Sequence, residues 1–248
     1  MADLEFAVYR VPIEQVGGNS YLVFRGSEVV VVDTGTPGNG KRIVDEATNL
    51  GGKIKAIILT HYHIDHAGSA AEIKQSTGAN LYVHEADAPY VSGKERPPLP
   101  STASSEASRA YAGYRPVQPD GTLKEGDSLF GFRILHVPGH TPGSVALYDG
   151  RFLFSGDNMN FRDGRIVGTP VVYDWDREQA ATSVRRLASL SFDVLLPGHG
   201  VPVVGSASER ARLDLGLVRG TPRPILAGPL ASKKSRGLGQ TRFLAGHH

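Results

Sequence analysis

The chain has 248 residues, 40% hydrophobic and 21% charged, with no cysteine, a length that buries a full core and suits one α/β domain. No apolar run reaches the roughly 20 residues that span a bilayer, and the lack of thiols removes disulfides and thiolate metal ligands. The net charge of +2 hides an asymmetry: no acid and six bases (Arg219, Arg223, Lys233, Lys234, Arg236, Arg242) follow Asp214, so the other 21 bases face 25 acids, and this mildly acidic body argues against nucleic acid as a partner. Met1–Glu5 lacks the basic start and apolar segment of a signal peptide, which makes the cytoplasm the expected location.

In chain order, Phe6–Val11, Ser20–Phe24 and Glu28–Val32 read as strands, the last two joined by a turn at Arg25-Gly26-Ser27. Asp33-Thr34-Gly35 breaks the sheet. The spacing of Ile43, Val44, Ala47 and Leu50 predicts a helix over Lys41–Leu50, stopped by Gly51-Gly52. A buried strand Ile54–Leu59 follows, then the loop T-H-Y-H-I-D-H-A-G, a helix over Ala67–Ser76 and a strand Asn80–Val83. His84 is read as opening a helix. From Pro89 to Pro119 the pattern dissolves into a Pro-, Ser- and Ala-rich stretch, a lid-like loop with a short helix expected in Ser101–Gly113.

Ser128–Val137 is expected as one strand containing His136, followed by P-G-H-T-P-G-S and the paired strands Val145–Tyr148 and Phe152–Phe154, which run into Ser155-Gly156-Asp157. Asp176-Arg177-Glu178-Gln179 has the form of a capping box opening a helix. Asp193–Leu196 is a strand leading into P-G-H-G, and Ser206–Val218 is the last helix. This organisation implies one domain over 1–218 and a basic, Gly- and Pro-rich tail over 219–248, either unstructured or an appended ending.

The loop after the strand Ile54–Leu59 carries the chemistry. Residues two apart in an extended stretch point the same way, so His61 and His63 can grip one metal ion, while the turn at Asp65-His66 offers a carboxylate and an imidazole to a second. His140, Asp157 and His199 each stand at a strand end beside glycine, which permits tight turns and lets separate loops converge. Seven ligand-capable residues on four strand ends suggest one site held by nitrogen and oxygen alone.

With these motifs in place, H-Y-H-I-D-H-A-G, P-G-H-T-P-G-S, S-G-D and P-G-H-G, the sequence resembles the metallo-β-lactamase superfamily of hydrolases over about Gly18–Val204. The resemblance implies an αββα sandwich, two mixed β-sheets face to face with helices outside and two metals at one edge. It assigns His61, His63 and His140 to the first metal, Asp65, His66 and His199 to the second, and Asp157 to both. Asp33 in V-D-T-G matches an aspartate that braces the histidine loop, although a turn aspartate reads the same way. Tyr62, Asn160 and Tyr173 are candidate substrate contacts.

Two divalent ions sharing a water lower its pKa toward neutrality, so the expected reaction is hydrolysis of an ester, lactone or thioester by a metal-bridging hydroxide, with Asp65 as proton shuttle. Zn is expected first, with Fe, Mn or Co admitted by the N/O ligand set. The expected partner is a small-molecule substrate, without membrane; a homodimer is left open. Asp157 and the absence of cysteine argue against antibiotic hydrolysis as the main activity. Only one helix is expected after His199, whereas glyoxalase II enzymes add a helical domain there, and Asn160 stands where related lactonases often carry tyrosine. A mononuclear-iron persulfide dioxygenase, a phosphodiesterase and a non-enzymatic metal-binding module are the rival readings.

Overall fold

The computed structural model describes residues 6–11, 13, 18–97, 113–169, 171–219 and 241–244. Fifteen strands among them, β1 (Phe6–Val11), β2 (Ser20–Arg25), β3 (Glu28–Val32), β4 (Lys53–Ile58), β5 (Asn80–His84), β6 (Gly121–Leu123), β7 (Ser128–Leu129), β8 (Phe132–His136), β9 (Val145–Tyr148), β10 (Phe152–Gly156), β11 (Asn160–Arg162), β12 (Arg165–Val167), β13 (Val194–Pro197), β14 (Val203–Val204) and β15 (Thr241–Leu244), build two large sheets and a hairpin. The first sheet has the order β15-β1-β2-β3-β4-β5-β6 and the second β14-β13-β10-β9-β8-β7, with β11-β12 apart. Both are mixed: β3, β4, β5 and β6 run parallel, as do β10 and β13, and the other pairings are antiparallel.

Alternation along the strands sets the layers, because successive side chains of a strand point to opposite faces. In β2 and β3, Leu22, Phe24, Val29 and Val31 face the helices Gly40–Asn49 and Ala70–Thr77, meeting Ile43, Ala47, Ala70 and Ile73. The intervening Tyr21, Val23, Val30 and Val32 face the second sheet and pack on Phe132, Ile134, Leu147, Phe154 and Leu196. On that sheet's far side Leu135, Ala146, Leu153 and Leu195 meet Val184, Leu187, Ala207 and Ala211 of the helices Arg177–Ser189 and Ala207–Asp214. Three apolar layers thus hold four structural layers in the order αββα. No helix among the described residues is long and apolar enough to cross a membrane.

Several local expectations change. The helix expected over Ala67–Ser76 is two pieces, Ile64–Ala67 and Ala70–Thr77; the first turn begins within the histidine loop itself and packs tightly, with Gly68 against Pro37. The strand over Ser128–Val137 is a hairpin, turned at Phe130 and Gly131 with positive φ. His84 closes β5 and stacks on His136 with ring centroids 4.0 Å apart. Asp176 does cap the helix Arg177–Ser189 by accepting from the backbone of Glu178 and Gln179, but Gln179 bonds the Asp176 carboxylate and not its backbone. Within Pro89–Pro119, the expected helix Ser101–Gly113 lies almost wholly outside the described residues; the flanks are described, with a short helix Ala88–Val91. Within the tail, Thr241–Leu244 pairs antiparallel with β1 as the edge strand of the first sheet. The last helix, expected to reach Val218, ends at Asp214.

Candidate metal centre

Four loops meet at one edge of the sandwich. Val145 N donates to Thr60 O and Gly198 N to Gly156 O, which ties the loop after β4 to β9 and the loop after β13 to β10. Asn19 N donates to Gly198 O and Gly18 N to Asp65 O, so β2's leading edge clasps both. Two glycines are required by close approach: a Cβ on Gly198 would lie 2.1 Å from Asp157 Oδ1, and one on Gly139, at φ 127, would lie 2.0 Å from Ala180 N.

All seven sequence-predicted ligands come together. Ligand atoms of His61, His63 and His140 form one set, those of Asp65, His66 and His199 a second, and His61, His66 and Asp157 an overlapping third, each set within 4.8 Å. Asp157 stands between: its carboxylate is 3.2 Å from His66 Nε2, 3.4 Å from His199 Nε2 and 3.5 Å from His140 Nε2. His199 Nε2 also lies 3.2 Å from Asp65 Oδ2, and His63 Nδ1 is 2.9 Å from His140 Nε2.

Each of the three deeply buried imidazoles has one nitrogen occupied from outside, which turns the other inward. His61 Nδ1 is 3.0 Å from Thr60 Oγ1, His66 Nδ1 is 2.8 Å from Asp33 Oδ2, and His140 Nδ1 is 3.2 Å from Asp174 Oδ1. Asp33 sits at φ 58 and also accepts from Thr60 N and Thr60 Oγ1, so it is both a turn residue and a brace.

Charge follows the geometry. Burial, then the neighbouring imidazoles, holds His61 well below the usual histidine range, and burial with His140 pushes His63 down to about 3. Both are neutral, with lone pairs available. Burial opposes protonation of His66 and His199, but Asp157 and Asp65 outweigh it, raising His66 well above its usual value and His199 to about 9. Burial would likewise raise Asp157 and Asp65, yet the facing imidazoles of His66 and His199 hold both carboxyls below their ordinary value.

These residues fit a metal ion. His61 and His63 are neutral and the Asp65 and Asp157 carboxyls ionised, the protonation states that ligate, whereas His66 and His199 are held toward protonation by those carboxylates and would release a proton on binding a metal ion. His61 Nε2 and Asp157 Oδ1 are buried without a hydrogen-bond partner, and an uncompensated polar atom is costly to bury.

A profile of the metallo-beta-lactamase superfamily matches residues 13–199. The chain belongs to that superfamily. It is similar to the probable metallo-hydrolase YflN of Bacillus subtilis (strain 168), 34% identical over 218 residues that cover 75% of this chain and 82% of the relative. It is 27% identical to the hydroxyacylglutathione hydrolase GloC of Haemophilus influenzae, over 77% of this chain and 89% of that one. Among solved structures, the di-iron-bound form of TTHA1623 superposes with a TM-score of 0.67 at 30% identity, covering 84% of this chain and 99% of that chain. This superfamily member is therefore a metal-binding hydrolase in fold and ligand set.

The three candidate substrate contacts are placed differently from one another. Tyr62 is 4% exposed and stacks on Tyr90 within the first core layer. Asn160 is buried and its amide is engaged at both ends, donating to Asp157 O and accepting from His199 N. It links the loops that carry Asp157 and His199. Tyr173 is exposed, on the turn Val171–Tyr173.

Two aspartates were missed. Asp174 bonds His140 and accepts from Thr169 Oγ1. Asp87, fully buried, accepts from Tyr62 N, Thr141 Oγ1 and Gly143 N, joining the loop that carries His61 and His63 to the loop that carries His140. Burial pushes the Asp87 carboxyl up to about 7 despite those three donors. Neither aspartate lies in a recognisable motif, and their partners are distant in sequence.

Proposed function

We propose that the chain is a binuclear metallohydrolase that cleaves an ester, lactone or thioester of a small molecule. The observation that carries this reading is that Asp157 stands between the two ligand sets, one carboxylate oxygen 3.2 Å from His66 Nε2 and the other 3.5 Å from His140 Nε2. His61, His63 and His140 would hold one ion, Asp65, His66 and His199 the other, with Asp157 shared. When bound, two divalent ions supply an ionised water near neutral pH and polarise the substrate carbonyl. Zn suits the five imidazoles and two carboxylates, while iron is supported as an alternative by the di-iron form of TTHA1623.

The chain's own residues do the rest. His61, His66 and His140 are almost wholly buried, whereas the side chains of Asp65 and His199 are 24% and 33% exposed. Asp65 and His199 are therefore among the side chains of the site that an incoming substrate can reach. Asp65 Oδ2, held ionised and partly exposed, can take the proton from the attacking water and pass it to the leaving oxygen or sulfur. Asn160 keeps the Asp157 and His199 loops in register during that exchange, and Asp33 keeps the His66 ring from rotating.

The test is metal analysis joined to a substrate panel: p-nitrophenyl acetate, a lactone, lactoylglutathione, nitrocefin and bis-p-nitrophenyl phosphate. Two ions per chain and turnover of the carboxylic substrates are expected. One tightly bound iron with oxygen uptake on a persulfide, or turnover of the phosphodiester alone, overturns the reading.

A further inference from the structure

Large apolar side chains left in water are informative when they gather beside a site. Of the eight described in this state, four lie within five residues: Val171, Val172, Tyr173 and Trp175, which are 48%, 60%, 50% and 54% exposed. This segment is fastened to the metal centre. Asp174 turns inward, 3% exposed in its side chain, to bond His140 Nδ1, and Trp175 N donates to His140 O. With Asp174 pointing in, its neighbours Tyr173 and Trp175 on either side are left exposed beside the loop that carries His140. A fifth exposed group, Val201 at 49%, follows the ligand His199 by two residues.

The segment carries no cation. Its acids are already engaged, Asp174 with His140 and Thr169, and the adjoining Asp176 as a helix cap. The nearest cation in sequence, the exposed Arg177, lies two residues beyond Trp175; on residues 171–175 themselves an anionic substrate portion such as a peptide carboxylate finds no partner, whereas a hydrocarbon portion finds four side chains to cover. Thr169 and His140 anchor the lip's base, so its position relative to the ligands is set by the fold.

We propose that Val171, Val172, Tyr173 and Trp175 form a lip that binds the apolar acyl group of the substrate, which makes medium-chain acyl esters or thioesters the preferred class. This rests on the hydrolase reading and narrows it. Covering a methylene on such a surface is worth about a threefold gain in affinity, so kcat/KM should climb with chain length.

Two measurements test the lip. In the metal-loaded protein, kcat/KM for p-nitrophenyl acetate, butyrate, hexanoate and octanoate should rise about ninefold at each two-carbon step, through KM. In Tyr173→Ser and Trp175→Ala the rise should flatten toward one while metal content stays the same. A flat series in the wild type, or an unaltered slope in both variants, overturns the proposal. Trp175 is the one tryptophan of the chain, so its fluorescence reports on the lip without any turnover. Octanoate below its micelle-forming concentration should shift that emission to the blue, and acetate should leave it in place; no response to octanoate overturns the lip. Should octanoate shift the emission in a protein that cleaves none of the esters, the lip stands and the hydrolase reading falls.

Discussion

Asp33 Oδ2 lies 2.8 Å from His66 Nδ1, with both side chains shut away from solvent. One carboxylate thereby orients a ligand and, through Thr60 N and Thr60 Oγ1, fixes the start of the loop that bears it. Asp33→Ala leaves two donors and an imidazole without a partner. Loss of a group that orients a ligand weakens metal affinity about 10- to 100-fold, and chelator competition on the purified variant should read that loss. Unchanged affinity would mean that His66 is held by packing alone.

Asp87 acts further out, gripping backbone and hydroxyl donors of two loops and no ligand directly. In Asp87→Asn the amide nitrogen must face either Gly143 N or the pair Tyr62 N and Thr141 Oγ1, so one of the two loops is released. Affinity for the ion at His61, His63 and His140 should fall, and the visible spectrum of the cobalt-substituted protein should change, while the far-UV circular dichroism stays native. A variant with the wild-type cobalt spectrum would show that the loops keep their spacing without this clamp.

In the proposed binuclear site, Asp157 is the residue on which both ions would depend. A carboxylate between two cations ligates both and offsets their repulsion, so Asp157→Ala should drop the metal count below two per chain. Ester hydrolysis should fall by several orders of magnitude, with the fold retained. Plasma mass spectrometry and initial rates check both halves, and a fully active variant with two ions would remove Asp157 from the centre.

His84 supplies a pH dependence away from the metals. Burial, then the stacked His136, pushes His84 from 6.5 down to about 4, against the opposing pull of Glu85, Asp127 and Glu125. Its Nδ1 accepts from Ala86 N, which requires the unprotonated nitrogen. The folded state therefore binds the proton less well than the unfolded chain, so this stability is full above about 6.5 and is lost as pH falls toward 4. His84→Phe keeps an aromatic ring on His136 but does not titrate. The Tm advantage of wild type over variant should shrink on acidification from pH 7 to pH 4.5; a constant difference would refute the assignment.

Thr241–Leu244 completes the edge of the first sheet against β1. Truncation after Arg219 should lower Tm by about 2–4 °C, the shift expected for roughly 1 kcal/mol in a chain of this size. It should also increase aggregation through the bared edge of β1. Identical melting and solubility would show that this pairing contributes nothing.

Much of this protein is written locally. The short apolar, β-branched runs of β2, β3 and β4, and the helical spacing of Ile43, Val44 and Ala47, are set by neighbours a few residues away, so the principal strands and helices were legible. The side chains that gather at the candidate metal centre were legible for the same reason: His61, His63, Asp65 and His66 share one loop, and His140, Asp157 and His199 each follow a strand beside glycine. The sequence alone also stated the donor chemistry, nitrogen and oxygen without sulfur. What it did not determine is how those side chains are held. Asp87 bonds Thr141 and Gly143 across 54 and 56 residues, Asn160 bonds His199 across 39, and Asp174 bonds His140 across 34. A lone aspartate in a loop has no period to announce such a partner. Only the packing of one sheet on the other brings these groups within hydrogen-bond reach, and the same packing buried the Asn160 amide between two loops and left Tyr173 and Trp175 exposed.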